Sequence, residues 1–139
     1  MRPCLLIVDD EEVMQTLLTH VLRTAGYRNL MTASSVAEAR CVLSVHDVDL
    51  VLTDMQMPES SGLELLQHIH EFLPGTATLM VTGTDDPELA EQTLALGASG
   101  YIIKPFRHSE VIIGVRNALR RQALERENQI YRDHLEATV

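Results

Sequence analysis

Several apolar runs in this chain end in polar residues whose types could do chemistry together. These residues are Asp9 and Asp10, Asp54, Thr82 and Lys104. Each follows a short run of consecutive apolar residues, a pattern typical of a buried strand. Because ligands bind at the carboxyl ends of the strands in α/β sheets, and those ends share one edge, we expect these side chains to lie close together. The sequence therefore predicts one polar site built from four strand ends.

Three carboxylates at one sheet edge repel one another unless their charge is neutralised. Mg²⁺ suits this task because it prefers oxygen ligands and typically takes one or two protein carboxylates together with a phosphate. Asp10 and Asp54 fit the role of direct ligands, and Asp9 fits that of a ligand acting through water. The hydroxyl of Thr82 and the ammonium of Lys104 would then contact the remaining oxygens of a phosphoryl group beside the metal.

Each of these residues also has a simpler interpretation when it is taken alone. An Asp before a Pro-containing loop commonly initiates a turn, and an isolated Thr or Lys is usually a turn or surface residue. Two observations favour a site instead. The residues occur together at successive strand ends, and Lys104 is the single lysine among eleven Lys and Arg residues. A compact, mobile ammonium differs chemically from the planar guanidinium that the rest of the chain uses.

The elements that must position these residues alternate between strands and helices. Consecutive apolar residues predict strands at 4–8, 30–33, 50–52, 77–82 and 100–103. Helical spacing and end signals predict helices at 13–25, 35–43, 62–72, 87–97 and 110–119. Among those signals are a capping box formed by Ser35 and Glu38, and Ser109 as the cap of the last helix. Short connections between alternating strands and helices imply a parallel sheet with helices on both faces.

The last helix has no stop signal after Leu119, so we expect it to overrun the globular part. This predicts one domain over 3–121 and a helical C-terminal extension or linker over 122–139. Leu119, Ala123, Arg126 and Ile130 would form only a thin seam for a coiled coil. A solvated tail and a dimerising tail therefore both stay open.

Composition limits the function classes. The net charge of −9 works against nucleic-acid binding, which depends on Lys and Arg contacts with phosphates. No apolar run approaches the roughly 20 residues that cross a bilayer, and no secretory leader opens the chain, so we expect no membrane contact and a cytoplasmic location. Cys4 and Cys41 lie far apart without a CxxC motif and are predicted to be reduced core residues.

The strand-end residues belong to longer motifs that resemble those of a known family. The motifs are Val8-Asp-Asp-Glu11, Asp54-Met-Gln-Met-Pro-Glu-Ser-Ser-Gly62, Thr82-Gly83 and Lys104-Pro-Phe106. Over residues 5–119 the chain resembles the receiver domain of two-component response regulators. The resemblance implies a flavodoxin-like, doubly wound, five-stranded parallel sheet of order 2-1-3-4-5 with five helices, the last one extended.

The resemblance also implies roles for individual residues. Asp54 would be the phosphoacceptor, and Asp10 and Asp54 would bind Mg²⁺ together with the main-chain carbonyl of Gln56. Thr82 would contact the phosphoryl oxygens and move with them, and Tyr101 falls on the family's switch aromatic. Asp9 would support the metal through water, Lys104 would contact the phosphoryl oxygens, and the Lys104–Pro105 bond would be cis.

A partner histidine kinase or phosphotransfer protein would supply the phosphoryl group. A protein-protein interaction face made of the fourth helix, fifth strand and fifth helix would then switch. Such a domain catalyses only its own phosphorylation and dephosphorylation, so we expect no enzyme activity on outside substrates.

Three alternatives stay open at this stage. A Mg²⁺-dependent phosphatase-like hydrolase also uses an Asp nucleophile, but such enzymes commonly need a second acid two residues on, where this chain has Gln56. An inert flavodoxin-like binding module would have no affinity for Mg²⁺. The chain could also be a stand-alone single-domain regulator, although the helical overrun resembles linkers in larger regulators and favours the N-terminal part of a longer protein. Those linkers include ones that lead to cyclic-dinucleotide phosphodiesterase or kinase outputs.

Overall fold

Strands and helices alternate along the chain in the computed structural model, which describes residues 2–138. The strands are β1 (Cys4–Val8), β2 (Asn29–Ala33), β3 (Leu50–Thr53), β4 (Ala77–Thr82) and β5 (Gly100–Ile103). The helices are α1 (Glu12–Thr24), α2 (Val36–Val45), α3 (Gly62–Phe72), α4 (Pro87–Ala95) and α5 (His108–Thr138). All strand pairs are parallel, and the sheet order is β2-β1-β3-β4-β5. The predicted fold class is confirmed.

The central strands are consecutive apolar runs because both faces of the sheet are covered. Every residue of β1, β3 and β4 is buried. Alternate side chains enter different cores: Leu5 and Ile7 join the cluster that α1 and α5 cover, whereas Leu6 and Val8 join the cluster under α2 and α3. Since a strand points successive side chains to opposite faces, a strand buried on both sides is apolar at most of its positions, and the exceptions here are threonines in β3 and β4.

Two of the predicted helix starts differ in their details. The Ser35 hydroxyl accepts from the Glu38 N–H at 3.1 Å, as predicted, but the Glu38 carboxylate accepts from the N–H of Ser34 instead of completing the box at Ser35. The prediction that Ser109 caps α5 is wrong, because α5 begins at His108. The Glu110 carboxylate accepts from the Arg107 N–H at 3.3 Å, so a first-turn carboxylate satisfies an amide at this helix start.

Helix α5 overruns the globular part, as predicted, and its extension contacts the opposite end of the sheet from the strand-end residues. The buried Gln122 amide donates to the Pro74 carbonyl at 3.1 Å. Arg126 pairs with Asp49 at 3.3 Å and donates to the carbonyl of Gly75. The predicted extension over 122–139 includes residue 139, which lies outside the described residues.

Two of the four predicted seam residues contact this domain. Leu119 packs against the core cluster under α1 and α5, and Arg126 pairs with Asp49, whereas Ile130 is exposed. Cys4 is buried as predicted, whereas Cys41 is exposed, so the prediction of a second core cysteine is wrong. Among residues 2–138, no helix is both long and apolar enough to cross a membrane.

Candidate functional site

Four strands bring the predicted residues to one edge of the sheet. Asp9 and Asp10 follow β1, Asp54 follows β3, Thr82 ends β4, and Lys104 follows β5. The edge is the carboxyl end of a parallel sheet, where the polar ends of the strands meet the loops. The sheet order β2-β1-β3-β4-β5 makes β1 and β3 neighbours, so their two acidic ends lie side by side.

Asp9, Asp10 and Asp54 form a cluster in which one oxygen from each lies within 4.8 Å of the others. Asp9 is 1% exposed and Asp54 is 8% exposed, whereas Asp10 is open to solvent. All of the donors are hard oxygen atoms, the type that Mg²⁺ and Ca²⁺ bind. Among the described residues this is the one group of three or more His, Cys, Asp or Glu side chains close enough together to share a metal ion.

Lys104 balances part of the negative charge of this cluster. Its Nζ atom donates to Asp9 Oδ2 at 2.9 Å and to Asp54 Oδ2 at 3.1 Å. Burial alone would lower the pKa of the Lys104 ammonium, but its hydrogen bonds and ion pairs with Asp9 and Asp54 outweigh burial and raise that pKa. One ammonium against three carboxylates still leaves the cluster negative. The Lys104–Pro105 bond is cis, as the resemblance implied.

The loop after Asp54 folds back onto it. The second oxygen of Asp54, Oδ1, accepts from the Gln56 N–H at 3.3 Å, and Gln56 forms an isolated antiparallel bridge with Ser61. The N–H of Gly62 donates to the carbonyl of Met55 at 2.7 Å. A Cβ atom at Gly62 would lie 2.1 Å from the Asp54 carbonyl oxygen, so only glycine allows this approach.

Thr82 and Tyr101 both form hydrogen bonds with the main chain of Thr84, in the loop after β4. The buried Thr82 hydroxyl accepts from the N–H of Thr84 at 3.4 Å, and the Tyr101 hydroxyl donates to the carbonyl of Thr84 at 2.7 Å. Burial, followed by the charges of Asp86, Asp85 and Asp54, raises the pKa of Tyr101. Thr84 thus joins a strand-end hydroxyl at the site to a half-buried ring on β5.

Gln15, which was not among the predicted site residues, contacts the acidic loop from α1. Its carboxamide donates to the Asp9 carbonyl at 2.6 Å. A signal was present, because Gln15 shares the helical stripe of Met14, Leu18 and Leu22, where an apolar residue would be expected. A polar residue on an apolar stripe indicates that a buried polar group needs a partner.

Comparisons with known proteins agree on one family. The model described as "Response regulator receiver domain" matches residues 5–116. The transcriptional regulatory protein YvrH of Bacillus subtilis is 34% identical over 130 residues, which are 91% of this chain and 54% of that protein. The chemotaxis protein CheY-3 of Vibrio cholerae is 36% identical over 104 residues, which are 73% of this chain and 80% of that protein.

A solved structure shares the architecture. The response regulator receiver domain protein of Methanospirillum hungatei has a TM-score of 0.83 and 29% identity, and the match covers 90% of this chain and 99% of that one. This chain spans about half the length of YvrH and of two further relatives, the probable transcriptional regulatory protein TcrX and the aerobic respiration control protein ArcA.

Proposed function

Because this chain belongs to the response regulator receiver family, the signalling domains of two-component systems, we propose that its Asp54 accepts a phosphoryl group from a partner histidine kinase or phosphotransfer protein. The observation that carries this proposal is the placement of Asp54. It lies at a strand end beside Lys104, in a cluster with Asp9 and Asp10. Asp9 has the same ammonium and acids beside it, but it is 1% exposed, whereas Asp54 is 8% exposed and more accessible to a partner.

The proposed reaction moves the phosphoryl group from a partner imidazole to a carboxylate. An Asp54 oxygen attacks the phosphorus, the phosphorus–nitrogen bond breaks, and its electron pair returns to the imidazole of the partner. Positioning and charge neutralisation supply the catalysis, because phosphoryl transfer needs little covalent chemistry from the protein. Lys104 sits within hydrogen-bond distance of Asp54 and is placed to pair with the phosphoryl oxygens.

The acidic cluster fits Mg²⁺ as the accompanying ion. Asp10 and Asp54, with the main-chain carbonyl of Gln56, would hold it, and Mg²⁺ would offset the repulsion between a carboxylate and an incoming phosphoryl dianion. Asp9 would act through water. This division is supported by burial, because Asp9 is the least accessible of the three acids, whereas Asp54 is 8% exposed and Asp10 is open to solvent.

The same proposal includes a switch through Thr84. A phosphoryl group on Asp54 adds acceptor oxygens to which the Thr82 hydroxyl can donate, and movement of Thr82 toward them would lengthen the hydrogen bond that this hydroxyl now accepts from the Thr84 N–H. A shift of Thr84 alters the acceptor of the Tyr101 hydroxyl, so the ring on β5 changes its position. The surface formed by α4, β5 and α5 would respond and serve as the face for a downstream protein or output domain.

We place the chain at the N-terminal end of a larger regulator, in the cytoplasm and without direct contact to nucleic acid or membrane. The relatives support the first point, because YvrH is about twice as long as the matched segment. A stand-alone regulator is the second candidate, and the match over 80% of CheY-3 favours it. Catalysis of its own phosphorylation and dephosphorylation is the only activity that the proposal gives to this chain.

A homodimer through the extension of α5 is a further part of the proposal. Leu124 and Tyr131 are exposed, and with Asn128 between them they follow the four-and-three spacing of a coiled-coil seam. Light scattering of the wild type should give a dimer, and Leu124→Glu should give a monomer. A wild type that is monomeric with and without a phosphoryl mimic would exclude this part.

Incubation with acetyl phosphate and Mg²⁺ tests the central part. The intact mass of the wild type should rise by one phosphoryl group, and that of Asp54→Asn should not change. Release of phosphate from a generic phosphate ester in many-fold excess over the protein would support a hydrolase instead. A lasting absence of both the adduct and Mg²⁺ binding would support an inert binding module.

A further inference from the structure

Gln15 holds the acidic turn after β1 through three contacts of one amide group. Its Nε2 atom donates to the Asp9 carbonyl at 2.6 Å, and it lies 3.2 Å from the Ser34 hydroxyl and 3.4 Å from the Ala33 carbonyl. The nitrogen must face this way because two of the three partners are carbonyl oxygens, which can only accept. We infer that Gln15 is a positioning residue that fixes Asp9 and Asp10 for metal binding.

The contact acts on the peptide bond that joins the two acids. The carbonyl that accepts from Gln15 belongs to the peptide between Asp9 and Asp10, so its orientation sets the direction in which Asp10 leaves β1. The Asp9 N–H donates to the Ala33 carbonyl at 3.1 Å, and this is the same carbonyl that Gln15 approaches. The turn is thereby tied both to α1 and to the end of β2.

Asp10 depends on these main-chain contacts more than Asp9 and Asp54 do. Asp9 is buried and held by Lys104, and Asp54 is held by Lys104 and the Gln56 N–H. Asp10 is exposed and lies outside any strand or helix. The position of Asp10 in the cluster therefore depends on the main chain that Gln15 anchors. The inference as a whole rests on the proposed metal site.

Gln15→Met tests the inference because methionine keeps the length of the side chain and removes both donors. We expect Mg²⁺ affinity to fall about tenfold, since residues that orient metal ligands commonly contribute this much. Gln67→Met is the matched control, because Gln67 is an exposed residue of α3 away from the cluster. Titration calorimetry measures both affinities, and circular dichroism checks that both variants fold.

Amide resonances in the metal-free protein separate this inference from the proposed function. The Asp10 and Glu11 amides should shift in Gln15→Met and keep their positions in Gln67→Met. Wild-type protein that fails to bind Mg²⁺ would contradict the proposed metal site, and the metal-free amides would then still test the positioning role. Unchanged Asp10 and Glu11 resonances, or Mg²⁺ affinity equal to the wild type, would overturn the inference.

A second variant covers the case in which Gln15→Met does not fold. Gln15→Glu has the same size but places a carboxylate against the Asp9 and Ala33 carbonyls. Repulsion between these oxygens should displace the turn, so the Asp10 and Glu11 amides should shift here as well. Resonances identical to those of the wild type would count against Gln15 as the anchor of this turn.

Discussion

Removal of the Lys104 ammonium should destabilise the protein through the acids that it now pairs. In Lys104→Met the two largely buried carboxylates of Asp9 and Asp54 lose a partner at 2.9 Å and 3.1 Å, respectively. Breaking a buried ion pair by removing one partner typically costs about 3–5 kcal/mol. The Lys104 side chain is 14% exposed, so water reaches part of the site and we expect the lower end, about 3 kcal/mol.

Urea unfolding at neutral pH, followed by circular dichroism, measures this loss. One series should contain EDTA and a second Mg²⁺. A divalent ion at the acidic cluster would offset the missing charge and reduce the difference in unfolding free energy between the variant and the wild type. Arg116→Met is the control, since it removes one exposed positive charge elsewhere on the chain. Equal stabilities of Lys104→Met and the wild type in EDTA would refute the charge-balancing role of Lys104.

The pH dependence of the same measurement gives an independent check. Asp9 and Asp54 raise the pKa of Lys104 above 10.5, so its stabilisation is fully present below pH 10.5 and is lost as pH rises through the higher folded value. The difference in unfolding free energy between the wild type and Lys104→Met should therefore shrink only in strongly alkaline solution. A difference that is already gone near neutral pH would contradict the raised pKa.

Three further predictions concern the loops and the extension. Gly62→Ala should lower the unfolding free energy by about 3 kcal/mol, because its Cβ would clash with the Asp54 carbonyl. Gly83→Ala is the control and should change the unfolding free energy little, because no atom lies within 4 Å of the added Cβ. Equal urea midpoints of the two variants would contradict this prediction. Tyr101→Phe should remove a phenolate absorbance step from the alkaline titration, and this step should lie above pH 10.0 because the pKa of Tyr101 is raised. Survival of that step in Tyr101→Phe would assign it to another tyrosine and contradict the prediction. Arg126→Met should lower the unfolding free energy by less than about 1 kcal/mol, since Arg126 is partly exposed. It should also speed amide hydrogen exchange in residues 120–130, because the contacts of Arg126 with Asp49 and Gly75 are lost. Unchanged exchange would show that these contacts do not hold the helix.

The strands and the polar edge were predictable because burial on both faces imposes a local pattern. The run 77–82 is apolar apart from Thr78 and Thr82, and the bounds of β4 agree with the prediction to the residue. The placement of Asp9, Asp10, Asp54, Thr82 and Lys104 at one edge then follows from parallel topology alone. The roles of these residues stay predictions until phosphorylation and metal binding are measured.

The details that sequence reasoning missed depend on contacts between distant parts of the chain. Arg126 looked like a seam residue, but it pairs with Asp49, which lies 77 positions earlier in the sequence. Gln15 reaches Ser34 across 19 positions, so no local pattern names its partner. Cys41 lies on α2, where the buried side is taken by Val36, Ala39 and Leu43. The spacing of apolar residues in this short helix does not by itself indicate which of its sides is buried.

The identity of the phosphorylated residue is the most direct test of the account. After reaction with acetyl phosphate and Mg²⁺, borohydride reduces an aspartyl phosphate to homoserine, and peptide mass spectrometry locates the change. The account predicts homoserine at position 54, dependent on Mg²⁺ and absent from Asp54→Asn. Homoserine at Asp9 or Asp10, or an adduct of unchanged yield in Asp54→Asn, would contradict it.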